Sequence, residues 1–310
     1  MTINLFHLEN YVVDTSKFHH VLHDEIVTTF EKEFADYVGA KYACSISSAT
    51  NAIFLMFNNH QTTVNVPSVI PPVVLNAIIN GGNKINFVDD VSWIGDSYVL
   101  HQFDNYKIID SAQKVSRNQF KEEANPQDLM FFSFYPTKPV GGIDGGMIVS
   151  DDYDKILNFK ELVLNGMSYA KNNWERKIKF PGWKMYMNSF QAYVARENFK
   201  KLPEKLEALK EVRKFYNQEL GYKNTSDHLY RISTENNKEA LSQMREKGIT
   251  CGIHYDAMHL NDIYRDHSSS NDIACPLSEK EAKTTLSIPY NEKLKTSELE
   301  YIVKSIGEIK

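Results

Sequence analysis

Cysteine is scarce in this chain: Cys44, Cys251 and Cys275 are odd in number and share no CxxC spacing. That argues against a disulfide-stapled scaffold and a cysteine-built zinc site, and for reduced thiols in a cytosolic compartment. Long apolar runs are missing as well. The opening stretch MTINLFHLENYVVDTSKF breaks its apolar residues with His7, Glu9, Asn10 and Asp14, unlike a signal peptide, and no later segment approaches the ~20 apolar residues of a bilayer span. A cytoplasmic protein is expected. Neither sign of charge dominates: a formal net charge of −5 creates no broad field for nucleic acid or anionic lipid, so an anionic ligand must be met by a local pocket. Internal repeats and low-complexity tracts are also absent.

What is present is an ordinary globular chain of 310 residues, 42% hydrophobic, enough for one large core or two unequal ones. In DEIVTTFEKEFADYV, Ile26, Phe30, Phe34 and Val38 recur every four residues and Gly39 follows as a stop, which predicts a helix. The period then alternates. Strand-like YACSI (42–46), TVNVP, KINFVD, YKIID (106–110), DLMFFSF (128–134) and GMIVS (146–150) are separated by helix-length or loop-length stretches, including TNAIFLMF and a helix from Pro72 to Ile79. This order predicts an α/β fold with a mostly parallel wound sheet. After Gln191, AYVARENFKKLPEKLEALKEVRKFYNQEL reads as one long amphipathic helix bent near Pro203. The rest, with strand-like HLYRIS, helix-like KEALSQMREKG and a final helix SELEYIVKSIGEI, predicts a small α+β lobe. The expected division is a large domain over 1–195 and a small C-terminal domain over 196–310.

In a wound sheet, ligands bind beyond the carboxyl ends of the strands. Ser47-Ser48-Ala49-Thr50 follows the first strand and opens a helix, where free N–H groups and the dipole favour a phosphate; Ser48 serves equally as a plain helix cap. Asp110 ends YKIID, with Gln113 one turn later. A carboxylate there can hold a pyridine nitrogen protonated, and an aspartate there is also a common turn former. Ser133 ends DLMFFS, and Lys138 lies in the loop YPTKPVGG beyond it. Desolvation can lower such an amine enough for attack on an aldehyde, whereas most lysines are solvated surface charges. The pairs Gly141-Gly142 and Gly145-Gly146 allow close backbone approach, but GGIDGG matches neither a Walker loop nor a GxGxxG fingerprint.

The order SSAT, VPS, IIDSAQ, FSFYPTKPVGGIDGG, NSFQA and GIHY resembles the DegT/DnrJ/StrS family of sugar aminotransferases, from about Phe30 to Ser305. The resemblance implies a fold type I transferase dependent on pyridoxal 5'-phosphate, acting as a homodimer with active sites shared between chains. It makes Lys138 the Schiff-base lysine and proton shuttle, and Asp110 the partner of the pyridinium nitrogen. Gln113 then touches the ring hydroxyl, and Ser133 with Ala49 and Thr50 binds the phosphate. Lys184, in GWKMYMNSFQA, reaches across the dimer to that phosphate. His254, Tyr255 and His259 of GIHYDAMHL border the sugar-nucleotide pocket, with Tyr186 a further substrate-side candidate.

Several positions depart from the family pattern. SGT is SAT here, and VPSVIPP offers Pro71 where an aromatic usually stacks on the cofactor ring. The lead before Phe30 is reduced, and the connection around 91–107 is thin. The implied reaction passes nitrogen from an amino donor, usually glutamate, through pyridoxamine 5'-phosphate to a nucleotide-linked 3- or 4-keto-6-deoxy sugar. Products of that kind feed surface polysaccharide, glycan or antibiotic pathways. Two alternatives share the scaffold: a sugar dehydratase, whose relatives carry histidine at the lysine position, and a non-catalytic sugar-nucleotide-binding homologue. No metal is expected. His19 and His23 stand four apart, the spacing of two imidazoles on one helix face, but lack a convincing third ligand. Trp93, Trp174 and Trp183 are expected to pack, Trp183 nearest a dimer contact.

Overall fold

A computed structural model describes residues 2–9, 11–168, 175–270 and 273–309. Helix α1 (Glu25–Val38) starts under the Asp24 side chain, which accepts from the Ile26 N–H, and ends at Gly39 with φ +82°, a left-handed cap that suits glycine. Strand β1 (Tyr42–Ile46) leads into α2 (Ala49–Phe57). β2 (Thr63–Pro67), α3 (Pro72–Asn80) and β3 (Lys84–Val88) form a parallel crossover unit. β4 (Tyr98–Gln102) and β5 (Lys107–Asp110) form an antiparallel hairpin, followed by the short α4 (Gln119–Glu123), β6 (Leu129–Ser133), β7 (Gly146–Ser150) and α5 (Tyr153–Val163).

The central sheet has the order β1-β7-β6-β5-β4, and β2 and β3 form a separate two-stranded sheet whose β2 lies beside β4. Two pairings, β5·β6 and β2·β3, are parallel as the alternating pattern predicts. The pairings β1·β7, β6·β7 and β4·β5 are antiparallel, so within the central sheet only β5·β6 is parallel and the sheet is mixed instead of mostly parallel. Its two faces follow from the pleat. Phe131 and Ile148 point into one apolar cluster under α2, α3 and α5, while Met130, Phe132, Met147 and Val149 point into a second under α1.

The long charged segment divides into α6 (Ser189–Lys200) and α7 (Leu202–Leu220). Pro203 sits in the first turn of α7, where its missing N–H is tolerated, and the chain turns at Lys201 instead of bending a single helix. Asn188 and Gln191 form a capping box at the start of α6, and the Gln191 amide also donates to the Ser47 carbonyl at 3.0 Å. Beyond lie β8 (Tyr230–Ser233), α8 (Asn237–Glu246), α9 (Asp262–Arg265), α10 (Pro276–Thr284), β9 (Thr285–Ile288) and α11 (Thr296–Gly307), with β8 and β9 antiparallel. A third apolar cluster joins Leu209, Tyr216, Tyr230, Leu286 and Ile302 with Ile3 from the other end of the chain. Residues 3–6 are laced onto this part: Ile3 N–H donates to the Gly248 carbonyl, Thr250 N–H to the Ile3 carbonyl and Tyr290 N–H to the Leu5 carbonyl, at 2.8–3.0 Å. Among the described residues no helix is long and apolar enough to cross a membrane.

Candidate active site

β5 ends on Asp110 and its parallel neighbour β6 ends on Ser133, so both side chains reach the same edge of the sheet. Beyond β6 the chain folds back through a turn in which Lys138 N–H donates to the Tyr135 carbonyl at 2.9 Å. Gly141, at φ +66°, lets that turn close; a Cβ there would stand 2.9 Å from the Pro136 carbonyl oxygen. The Lys138 amine is thereby taken out of water. Desolvation pulls its pKa down to about 8 against the opposing field of the Asp110 carboxylate. Asp110 moves the other way, up to about 6. Burial raises it, while the Ala112 N–H at 2.9 Å, the Lys138 charge and the Tyr98 hydroxyl at 3.2 Å all resist.

Amine and carboxylate therefore share one field, and among the described residues no hydrogen bond or ion pair satisfies the amine. A crevice of only about 20 Å³ touches Lys138 from the side of Phe6, Lys205 and His228, room for about one water. The same edge carries Gln113, which is buried. Its amide oxygen accepts from Gly95 N–H at 2.7 Å and its amide nitrogen donates to the Tyr255 hydroxyl at 2.9 Å, leaving a second N–H on that nitrogen.

The start of α2 completes the group. Ser48 caps it by accepting from Asn51 N–H at 3.2 Å, while the Ala49 and Thr50 N–H groups find no acceptor among the described residues. Both readings of Ser48 are thus compatible. Gly146, the cross-strand partner of Ser133, lies against this turn so closely that a Cβ on it would meet the Ala49 nitrogen at 2.9 Å. Helix start and Ser133 face each other across that glycine. Unpaired N–H groups, a hydroxyl, a desolvated amine and a buried carboxylate are the donor set that pyridoxal phosphate requires, and the residues fit it.

The other candidates are distributed unevenly. His254 is near enough to feel the Lys138 charge; burial, that charge and Arg231 push its pKa down to about 4, and its Nδ1 pairs with the Ser287 hydroxyl at 2.8 Å. Tyr255 lies between Gln113 and Asp110. Pro71 precedes α3 as its N-cap. His259 is not brought here. It is almost fully buried, its Nδ1 2.6 Å from the Ser68 hydroxyl, and it ties the 257–260 loop to the end of β2. Lys184 and Tyr186 come from a stretch that runs beside the lead into α2: Tyr186 bridges to Ile46, and Ser47 N–H donates to the Met185 carbonyl at 2.8 Å. Tyr186 packs on His23 at 4.3 Å between ring centres, and the positive charges of Arg176 and Lys184 act on that histidine. His23, Arg176 and Tyr186 line a cavity of about 310 Å³ over α1 and β1.

Sequence reasoning missed Tyr98 and His228. His228 stacks on Phe6 at 5.5 Å, and burial followed by the Lys138 charge holds its pKa well below the usual histidine value. Its only signal was its place directly before a strand. Trp93, expected merely to pack, stands 4.7 Å from the Tyr98 ring and lies parallel to Tyr255 at 6.2 Å. Trp183 packs edge-on against Phe54. Trp174 lies outside the described residues. His19 and His23 are not on a helix, since residues 18–24 are bends and irregular chain and His23 adopts φ +59°, so the paired-imidazole spacing has no face to act on.

A mixed α/β sheet whose strand ends hold a desolvated lysine against a buried aspartate, beside an anion-ready helix start, defines a fold type I transferase of the pyridoxal-phosphate class. The family model of the DegT/DnrJ/EryC1/StrS aminotransferases matches residues 7–93 and 107–307, and the chain belongs to that family. It is 24% identical, over 93% of its length and 92% of the relative's, to the UDP-4-amino-4,6-dideoxy-N-acetyl-beta-L-altrosamine transaminase of Campylobacter jejuni. Among solved structures it is similar to the aminotransferase TlmJ of Streptoalloteichus hindustanus, with a TM-score of 0.81, 19% identity and coverage of 99% of this chain and 98% of that one. It is also similar to the sugar aminotransferase Spr1654 of Streptococcus pneumoniae in its PMP form, with a TM-score of 0.78, 17% identity and coverage of 98% and 96%.

Proposed function

We propose that this protein is a pyridoxal-phosphate-dependent aminotransferase that moves an amino group from a donor, glutamate by family resemblance, to a nucleotide-linked 3- or 4-keto-6-deoxy sugar. The observation that carries the reading is the mutual field of Lys138 and Asp110 at the strand ends. The sugar-nucleotide substrate is supported by the named activity of the Campylobacter jejuni relative.

When bound, the cofactor supplies an aldehyde that exchanges nitrogen and a ring that accepts an electron pair. The protein's own residues do the rest. The Ala49 and Thr50 N–H groups and the Ser133 hydroxyl hold the phosphate. Asp110 would keep the ring nitrogen protonated, and the free N–H of Gln113 would serve the ring hydroxyl. The Lys138 amine would hold the aldehyde end of the cofactor and, as a free amine, would move a proton at the substrate carbon. His254 and Tyr255 border the sugar side. Burial keeps His254 neutral, so it offers a hydrogen-bond donor and acceptor without adding positive charge that would raise the cost of protonating Lys138.

Lys184, on the stretch paired with Ile46 and Ser47, serves the cofactor phosphate of the neighbouring site in a homodimer, and Tyr186 borders the substrate side. The expected division at residue 195 falls inside α6, whose Phe199 packs with Leu202 and α1 in the cofactor-holding part, so the boundary is better drawn between Leu202 and Leu209, where the C-terminal cluster that takes in Ile3 begins. Three unpaired cysteines suit a cytoplasmic setting. The test is Lys138→Ala. Wild type incubated with pyridoxal phosphate should show the visible band of lysine-linked cofactor, bleached by borohydride, and should aminate one member of a panel of nucleotide keto-sugars in the presence of glutamate. The variant should lose both, and full turnover without Lys138 would overturn the reading.

A further inference from the structure

The family match stops at residue 93 and resumes at 107, and the unmatched stretch builds β4. This stretch is fastened to the cofactor edge at four successive positions. Gly95 N–H donates to Gln113, Asp96 pairs with the Lys114 amine at 2.7 Å, the Ser97 hydroxyl donates to Glu123 at 2.5 Å, and the Tyr98 hydroxyl donates to Asp110 Oδ2 at 3.2 Å. Tyr98 and Asp110 are also direct cross-strand partners, so their side chains leave the hairpin on one face. Trp93 braces the arrangement by packing on Tyr98 and lying parallel to Tyr255. The Asp110 carboxylate is thus held from both ends, Oδ1 by the Ala112 N–H and Oδ2 by the phenol.

We propose that Tyr98, in the 94–106 segment that the family model leaves unmatched, is a positioning residue: its hydroxyl orients the Asp110 carboxylate and keeps it anionic for the ring nitrogen of pyridoxal phosphate. The proposal rests on the cofactor reading above. A carboxylate oxygen has two acceptor directions, so the phenol and a ring N–H can share Oδ2. The phenol stays protonated and remains a donor, because burial and the neighbouring carboxylate push its pKa well above that of a free tyrosine. The other groups acting on Asp110 are Lys138 from the loop after β6, the Ala112 N–H, and Tyr255 from the 252–257 stretch. Of these, Tyr98 alone belongs to the unmatched segment.

The experiment compares wild type with Tyr98→Phe, which keeps the ring and its packing. In cofactor-free protein labelled with 13C at aspartate carboxyls, the Asp110 signal is assigned by its loss in Asp110→Asn. It should titrate near 6 in wild type and about one unit higher in Tyr98→Phe, the size expected for a hydrogen bond to a charged group. At pH 7.5 the variant should bind pyridoxal phosphate about tenfold more weakly. In the Asp110→Asn background the same substitution should change affinity less than twofold. An unmoved Asp110 titration, or an equal affinity loss with and without Asp110, would overturn the proposal. If wild type itself fails to capture pyridoxal phosphate, the cofactor reading falls, while the titration still decides the Tyr98–Asp110 link.

Discussion

At the scale of single residues, the chemistry depends on what burial does to two opposite charges. An amine titrating near 8 is roughly fiftyfold more often neutral at pH 8 than at pH 6. Only the neutral amine attacks an aldehyde, so the rate at which cofactor-free protein captures pyridoxal phosphate should climb steeply over that interval and level off above about pH 9. Stopped-flow absorbance across a pH series checks this; a rate still climbing at pH 10 would mean that Lys138 is solvated. Position at or beyond a strand end nominated Lys138, Asp110 and Ser133 from the sequence, and the family resemblance gave them their roles. The partners that set their ionisation were not readable. Tyr98 precedes Asp110 by 12 residues in what looks like a thin connection, and His228 follows it at long range. Cross-strand register and enclosure by protein decide their roles, and neither leaves a pattern in the residues themselves. His259 illustrates the converse: a histidine within a recognisable segment turned inward to hold Ser68.

At the scale of elements, the contact between β7 and the start of α2 decides whether an anion can be held. Gly146→Ala would place a methyl against the Ala49 nitrogen at 2.9 Å and the Phe132 carbonyl oxygen at 3.0 Å, forcing strand and helix apart. We expect a stability loss of about 1–3 kcal/mol in urea unfolding, together with weaker pyridoxal phosphate binding by fluorescence titration. Unchanged values of both would show that helix and strand yield without disturbing the anion site. Elements with strong periodicity or clear stops, such as α1 with Gly39 and β7 between Gly145 and Ser150, were legible to within a residue or two. Strand β4 was not, because YVLHQ follows turn residues and pairs backwards as a hairpin, and this also makes the sheet more mixed than alternation implies. β9 escaped notice as well, since TLSI follows α10 without a turn signal.

At the scale of the whole molecule, the family resemblance that gives Lys184 a role across the dimer implies a shared site. If Lys184 works in trans, Lys138→Ala and Lys184→Ala are each impaired as homodimers, whereas a mixed dimer contains one intact site. After subunit exchange in equal amounts, activity should recover to about a quarter of wild type, since half of the dimers are then mixed. No recovery despite exchange, verified by differently tagged subunits, would place Lys184 in its own chain's site or in none. The small α+β part was foreseen from its strand and helix periods, but its dependence on residue 3 was not, because nothing in a short N-terminal stretch announces a partner at Gly248 or Tyr290.

That lacing orders events in time. Residues 3–6 leave the ribosome long before the segments around Gly248, Thr250 and Tyr290 to which they are stitched, so they must remain undocked while most of the protein is made. Phe6 forms part of the wall beside Lys138, and the crevice there acquires that wall only after the C-terminal strands exist. A nascent chain therefore leaves its reactive amine open to water until the segment around Tyr290 has emerged and Phe6 can be drawn into place.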